Sequence, residues 1–286
     1  MTRVRSRAKS TLLLASVTLL VACSRLGIGG GGDRTEEVAI ESLDAEAIYK
    51  RAEFQLAADN PDEAAVLFGE IERLYPYSEW AKRGLIMQAF AYHQDRDYEN
   101  SRSAAQRYVD FYPADEDAAY AQYLLALSYY DQIDAIGRDQ GLTFQALQAL
   151  RTVIERYPDS EYARSAILKF DLAFDHLAAK EMEVGRYYLK RGHYTAAIAR
   201  FRVVVEQFQT TTHTPEALYR LIEAYLSLGL VQEAQTAGAI LGYNFRSSDW
   251  YEDGYKLLTQ QGVEPGVFSD GWLRQIYRQM IKGEWL

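Results

Sequence analysis

The chain has one cysteine and six prolines among 286 residues. A single thiol cannot form an internal disulfide, so an exported protein of this sequence must be held together by its core. Scarce proline favours long helices, and no apolar run reaches the roughly 18 residues that are needed to span a bilayer. With 48% hydrophobic and 25% charged residues, the composition is that of a globular protein, which excludes wholesale disorder and a transmembrane bundle.

Basic residues are in the minority, 31 against 40 acidic residues. Four of them, Arg3, Arg5, Arg7 and Lys9, precede an apolar stretch from Thr11 to Val21, which is typical of a secretory signal peptide over residues 1–22. Its removal changes the net charge from −9 to −13. So acidic a chain is not expected to bind nucleic acid, because such binding needs a basic face that displaces counterions.

The signal peptide ends in Leu20-Val-Ala-Cys23, which resembles the lipobox of bacterial lipoproteins. The resemblance implies cleavage before Cys23, an S-diacylglycerol on its sulfur and an N-palmitoyl group on the new amine, which together would anchor the chain. Ser24, rather than Asp, implies sorting to the outer membrane. An ordinary signal peptide with a chance cysteine is the alternative. The glycines at 27 and 29–32 predict a flexible tether over residues 23–43.

From about residue 44 onward, a helical pattern with regularly spaced small residues repeats five times. In three of the units a small residue lies 12 positions before the proline of a Tyr-Pro pair. A second small residue lies upstream of the first one. Two antiparallel helices that cross closely need a small residue on each at the crossing. The residues assigned to such crossings are Ala52, Ala64, Ala89, Ser101, Ala126, Ala146, Gly185, Ala197 and Ala234.

This spacing resembles the tetratricopeptide repeat, a helix–turn–helix unit of 34 residues. The resemblance predicts an all-α superhelical solenoid of about five helix pairs plus C-terminal helices. Repeats 1–3 are expected over residues 44–160 and repeats 4–5 over 161–246, while 247–286 would form helices that cap the last repeat or dock a partner.

Two irregularities refine this prediction. Ala126 and Ala146 are eight residues further apart than the usual 12, which predicts a loop inserted between the two helices of repeat 3. Fourteen extra residues after Pro158 correspond to about four helical turns and preserve the helix face. They predict one long helix from Glu161 to about Arg191, capped by Asp159 or Ser160.

The sequence suggests no catalytic or metal site. None of the four histidines lies at metal-ligand spacing, and there is no nucleophile elbow. In tetratricopeptide stacks the first helix of each pair lines a groove, and aromatic residues with a few charges there suit a bound peptide. Packing against neighbouring repeats is the alternative for each of these side chains. The groove candidates are Tyr49, Arg83, Phe90, His93, Tyr120, Tyr123 and Tyr130.

Together, the lipobox, tether, five repeats, insertion and long helix resemble the BamD (YfiO/ComL) family. That resemblance implies a non-enzymatic lipoprotein scaffold of the β-barrel assembly (BAM) complex on the periplasmic face of the outer membrane. Its implied partners are a BamA-type POTRA-barrel protein bound by the C-terminal repeats, other Bam lipoproteins, and unfolded β-barrel substrates received by the N-terminal repeats. No cofactor is implied beyond the lipids on Cys23. The alternatives are another tetratricopeptide lipoprotein, such as a secretin pilotin or a cell-division coordinator, and an envelope enzyme.

Overall fold

The structure, a computed structural model, describes residues 39–136, 138–268 and 270–282. The signal peptide, Cys23 and most of the expected tether lie outside the described residues. From Ile40 onward the described residues belong to one compact unit, in which every regular element described is helical. A short 3₁₀ turn, Ile40–Ser42, precedes twelve described α-helices. They are α1 (Ala45–Ala57), α2 (Pro61–Leu74), α3 (Glu79–Gln94), α4 (Tyr98–Phe111), α5 (Ala118–Tyr130), α6 (Gly141–Arg156), α7 (Glu161–Lys190), α8 (Tyr194–Gln207), α9 (Thr214–Ser227), α10 (Val231–Asn244), α11 (Asp249–Gln260) and α12 (Trp272–Lys282).

The first ten helices form five consecutive pairs that stack into a solenoid, which confirms the predicted fold class. In four of the pairs a turn of three residues joins the helices, and its middle residue adopts a left-handed conformation. Glycine fits this conformation without strain at Gly192 and Gly229, whose φ is 74° at both positions, whereas Asp59 and Arg96 adopt it with a side chain. The same turn therefore recurs although its residue type does not.

The nine small residues assigned to helix crossings are all buried. The closest approach is at Gly185 of α7, where an added Cβ would lie 2.4 Å from Cε1 of Phe201 in α8. At the second pair the crossing is polar, because the Ser101 hydroxyl donates to the Ala89 carbonyl oxygen at 2.8 Å. These residues let the two helices of a pair approach closely enough to bury their apolar faces.

The long helix is α7, from Glu161 to Lys190, and the insertion lies between the end of α5 at Tyr130 and the start of α6 at Gly141. Ser160, one of the two residues expected to cap α7, occupies its N-cap position, but its side chain makes no capping hydrogen bond. Its hydroxyl donates to the Tyr157 carbonyl oxygen at 2.8 Å. The equivalent Ser78 makes the same bond to the Tyr75 carbonyl oxygen and also accepts from the Ala81 N–H at 3.1 Å, so the two roles do not exclude each other.

The folded unit differs from the expected boundaries at two places. It begins at Ile40 rather than at residue 44, because Ile40 and Leu43 pack on the first core cluster and the Tyr75 hydroxyl donates to the Leu43 carbonyl oxygen at 2.6 Å. There is also no break at residue 160. Tyr130 and Phe170 pack against both the central and the C-terminal core clusters, so the two expected groups of repeats share one continuous core.

The last two helices cover the end of the stack. Leu258 of α11 and both Leu273 and Ile276 of α12 are buried in the C-terminal core cluster. Helix α11 packs on α9 and α10, and α12 packs on α10. This packing agrees with the capping interpretation. No helix in the described ranges combines the length and apolarity that a membrane crossing requires.

Candidate functional site

The surface of interest is the inner face, defined here as the side of the solenoid formed by α1, α3, α5, α7 and α9. Each of these first helices contacts the first helix of the next pair. Second helices of successive pairs make no comparable contact within the described residues. The stack therefore curves with its first helices on the inside, and every predicted groove residue comes from α1, α3 or α5.

At the joint between α1 and α3, aromatic rings and one cation come together. The rings of Tyr49 and Trp80 lie 5.0 Å apart, and Tyr49 also meets Phe68 edge-on at 5.2 Å. The Arg83 guanidinium lies over Trp80, 5.4 Å from the ring centroid. Burial raises the pKa of Tyr49, and Glu53 adds to this shift. Arg83 itself is exposed, and it forms no salt bridge within the described residues.

The joint between α5 and α7 is also aromatic. Tyr162, at the start of α7, lies 5.2 Å from Tyr120 and 5.5 Å from Tyr123, and it stacks on the latter. Burial raises the pKa of Tyr120 to about 12. Further along the same joint, the Lys169 ammonium lies 4.7 Å from the ring centroid of Tyr130. These tyrosines are half-buried between the two helices rather than standing free in a groove.

A third aromatic joint links α9 to α11. Tyr219 and Trp250 lie 5.4 Å apart, with the Arg220 guanidinium over both rings. Unlike Arg83, this arginine is paired, because Arg220 contacts Glu216 and Glu223 at 3.3 and 2.7 Å. In contrast to Arg220, Arg83 has no carboxylate partner within the described residues, so its charge is available to a ligand.

Sequence reasoning missed Trp80, Tyr162 and Trp250, although a signal was present. Tyr-Pro-Tyr-Ser-Glu-Trp-Ala ends at Ala81, and Tyr-Pro-Asp-Ser-Glu-Tyr-Ala ends at Ala163. Trp250 follows the related Ser-Ser-Asp. In each case the aromatic residue lies at the start of a first helix, where it meets an aromatic residue of the preceding first helix.

The two intervening joints are made by a histidine and an aspartate. His93 Nε2 of α3 lies 3.1 Å from Asp131 Oδ2 at the end of α5. His213 Nε2 lies 3.2 Å from Asp175 Oδ2 of α7. Burial lowers the pKa of His93 more strongly than Asp131 raises it. Aromatic and histidine–aspartate joints thus alternate along the inner face.

The predicted groove residues therefore share one surface but divide into two kinds. Arg83 is exposed, while Tyr49, Phe90, His93, Tyr120, Tyr123 and Tyr130 are half-buried against neighbouring helices. Phe90 packs on the central core cluster. The alternative interpretation, in which these side chains pack against neighbouring repeats, therefore holds in part for each of the aromatic residues. What remains accessible is a strip of ring edges that ends beside an unpaired guanidinium.

This strip carries groups that can bind a ligand. The described residues contain no cluster of three or more histidine, cysteine and acidic side chains placed to hold a metal ion. Ring edges accept apolar side chains, and the Arg83 guanidinium can bind a carboxylate with two parallel hydrogen bonds. The arrangement fits a peptide that combines aromatic side chains with a negative charge.

Comparisons with known proteins bear on the whole solenoid. The family model YfiO, described as an outer membrane lipoprotein, matches residues 41–240. The chain is 46% identical over 249 residues to the outer membrane protein assembly factor BamD of Caulobacter vibrioides, covering 87% of this chain and 81% of the relative. It is 38% identical over 241 residues to BamD of Rickettsia prowazekii, covering 84% and 96%.

Among solved structures, the chain is similar to PilW, a type IV pilus biogenesis factor. The TM-score is 0.33 and the identity 12%, over 73% of this chain and 96% of that one. A similarity at this level supports no inference about function.

Proposed function

The chain belongs to the YfiO family of outer membrane lipoproteins, and from this membership we propose that it acts as an outer membrane protein assembly factor. Its relatives from Caulobacter and Rickettsia carry that name and match most of this chain. The proposed role is that of a scaffold in the β-barrel assembly complex, without an enzymatic step. It is favoured over a secretin pilotin or a cell-division coordinator, because relatives that cover most of the chain are assembly factors.

The proposed location is the periplasmic face of the outer membrane, held by lipids on Cys23. The lipobox supports this proposal, since three acyl chains give a far more stable anchor than one. The proposed partners on the membrane side are a BamA-type POTRA-barrel protein, bound by the C-terminal repeats, and other Bam lipoproteins. No cofactor is invoked beyond the lipid groups.

The proposed substrate contact is made by the inner face of repeats 1–3, which receives unfolded β-barrel proteins. The observation that supports it most strongly is the unpaired Arg83 beside the rings of Tyr49 and Trp80. A peptide that ends in phenylalanine can place its ring against those edges and its terminal carboxylate on the guanidinium. Repeats 1–3 are acidic, with 21 acidic and 11 basic residues over positions 44–160. An exposed cation there attracts a carboxylate that the surrounding negative charge repels.

Fluorescence titration of such a peptide against the detergent-solubilised chain tests the contact. Arg83→Glu is expected to weaken binding at least about tenfold, because it removes a charge-assisted hydrogen bond and adds a like charge. Phe90→Ala is expected to weaken it less. Arg191→Glu is the matched control, since this exposed arginine also lies over a tyrosine ring, at 4.4 Å from Tyr187, but in repeat 4. Equal affinity for all of these proteins would refute substrate binding at this face.

A second experiment separates the proposed scaffold from its alternatives. Affinity purification from detergent-solubilised membranes is expected to recover a POTRA-barrel protein with the chain. Recovery of a secretin would favour the pilotin. A chain without stable partners that shows turnover on an envelope substrate would favour an enzyme.

A further inference from the structure

A cleft on the opposite side of repeats 2 and 3 has no role in the proposed function. It is open, measures about 380 Å³, and lies between α4, α5 and α6. Leu125 and Ala149 contribute its apolar surface, and the remaining lining is polar and uncharged. The polar side chains that line it are Gln106, Gln122, Gln145, Gln148, Tyr129 and Thr152.

Gln122 of α5 is the unusual member of this set. Only 7% of the residue is exposed, and its side-chain amide has no hydrogen-bond partner within the described residues. Gln88, which is 8% exposed, shows the usual solution. Its amide donates to the Ala65 carbonyl oxygen at 3.3 Å and accepts from Arg107 at 3.0 Å. Because no group of the described fold bonds the Gln122 amide and Gln122 lines the open cleft, this amide is placed for a partner that enters the cleft.

The other amides flank this position on two sides. Gln106 of α4 donates to Asp110 at 2.8 Å, which leaves its carbonyl oxygen as an acceptor. On the facing helix, Gln145, Gln148 and Thr152 follow one another at helical spacing along one side of α6. From the first to the last of them the helix rises by about 10 Å, which is the length of about three residues of extended chain.

We propose that this cleft binds an uncharged, extended peptide segment at a second site, on the face opposite to the inner aromatic strip. A primary amide both donates and accepts, so each glutamine can pair with a backbone N–H and C=O of the segment. A strand lying along α6 would be bonded from both edges, by Gln106 on one side and by Gln145 and Gln148 on the other. Gln122 would bond it from below.

The lining also selects against other ligands. No charged side chain lines the cleft, and the surrounding repeats are strongly acidic, which disfavours nucleic acid and other anionic ligands. A sugar ring would stack on an open aromatic face, but the Arg102 guanidinium lies over the Tyr129 ring at 4.6 Å. Backbone amides of a peptide with small or apolar side chains fit both the amide rows and the surface formed by Leu125 and Ala149. This inference does not depend on the proposed function.

The test uses the detergent-solubilised full chain and a dansyl-labelled, C-terminally amidated peptide of alternating threonine and alanine. Fluorescence anisotropy is measured for wild type, Gln122→Leu, Gln145→Ala/Gln148→Ala and the control Gln94→Ala, which changes an exposed glutamine outside the cleft. The dissociation constant is expected to rise about tenfold for the first two variants and to stay unchanged for the control. Binding is expected to be insensitive to salt.

Thermal unfolding supplies a second readout. Gln122→Leu removes an amide that the fold does not use, so its unfolding midpoint is expected to stay unchanged or to rise while peptide binding weakens. Equal peptide binding by all four proteins, no binding by wild type, or a lowered midpoint for Gln122→Leu would each overturn the proposal. Binding of chitotriose with the same dependence on Gln122, Gln145 and Gln148 would overturn it in favour of a carbohydrate site. Because the probe has neither an aromatic residue nor a free carboxylate, these outcomes are independent of the titration at Arg83.

Discussion

At the crossing of α7 and α8, the substitution Gly185→Ala is favoured by helix propensity and opposed by side-chain packing. In an unconstrained helix interior, alanine is about 1 kcal/mol more favourable than glycine. Here the added Cβ would lie 2.4, 2.8 and 2.9 Å from Cε1, Cδ1 and Cζ of Phe201. That ring is fully buried, so it cannot swing into solvent to relieve the contact.

Overpacking of a core typically costs about 1–3 kcal/mol, and three such short contacts place this site in the upper part of the range. After the gain in helix propensity, we expect Gly185→Ala to lower the free energy of unfolding by about 1–2 kcal/mol. For a chain of this size, that corresponds to a midpoint lowered by about 2–8 °C. Circular dichroism at 222 nm during thermal unfolding measures it, and hydrogen exchange is expected to rise in α7 and α8.

Two further variants make the reasoning refutable. In the Phe201→Leu background, the smaller side chain leaves room for the new methyl group, so Gly185→Ala is expected to become neutral or stabilising, with a coupling of at least about 1 kcal/mol. Gly141→Ala is the control, since its added Cβ meets only the carboxylate of the exposed Asp139. An unchanged or raised midpoint for Gly185→Ala would show that the two helices do not cross at this residue.

Three other predictions concern the lipid anchor and the pH dependence of stability. Cys23→Ser is expected to yield an uncleaved precursor without palmitate, because the sulfur is the acceptor atom; metabolic labelling that still marks the variant would contradict the lipobox. Hydrogen bonds from Tyr108 and Lys82 lower the pKa of Asp115 from 3.8 to about 2, so its contribution to stability is full above about pH 4 and is lost as the pH falls toward 2. Asp115→Asn should therefore be less stable than wild type at pH 7 and similar to it near pH 2, and a constant gap in a scanning-fluorimetry series would rule this out. Burial lowers the pKa of His93 below its usual 6.5, so wild-type stability should fall as the pH drops below that value, whereas His93→Gln should lack this part of the slope in the same series.

The helix pairs could be predicted because their determinants are local. Small residues 12 positions apart are sufficient to place a turn between two helices that cross closely, as at Ala52 and Ala64. Fourteen inserted residues amount to whole helical turns, so α7 could be expected to continue unbroken. Capping was less predictable, because Ser78 and Ser160 occupy the same position in related Tyr-Pro-x-Ser-Glu segments, yet only the Ser78 hydroxyl accepts a capping hydrogen bond.

On the inner face, the sequence predicted the residue types but not the contacts between helix pairs. Residue types at first-helix positions indicated an aromatic surface, but partners such as Tyr162 for Tyr120 lie on the next first helix and depend on how two pairs stack. The same stacking makes His93 meet Asp131, although they are 38 residues apart. Arg220 and Arg83 differ already in the sequence, because Glu216 and Glu223 lie one helical turn to either side of Arg220, whereas Arg83 has only Glu79 at such a distance. The tertiary structure decides that Glu79 pairs with Lys82 and that Arg83 forms no salt bridge within the described residues.

Sequence by itself determined the repeat and the signal-peptide and lipobox pattern, because each depends on spacing along one segment of chain. Tertiary structure alone decided which polar groups are satisfied. Gln88 and Gln122 are both nearly buried glutamines, yet one amide is bonded on two sides and the other faces a cleft. That difference arises because hydrogen bonding depends on the positions of groups from three helices, which no local pattern encodes.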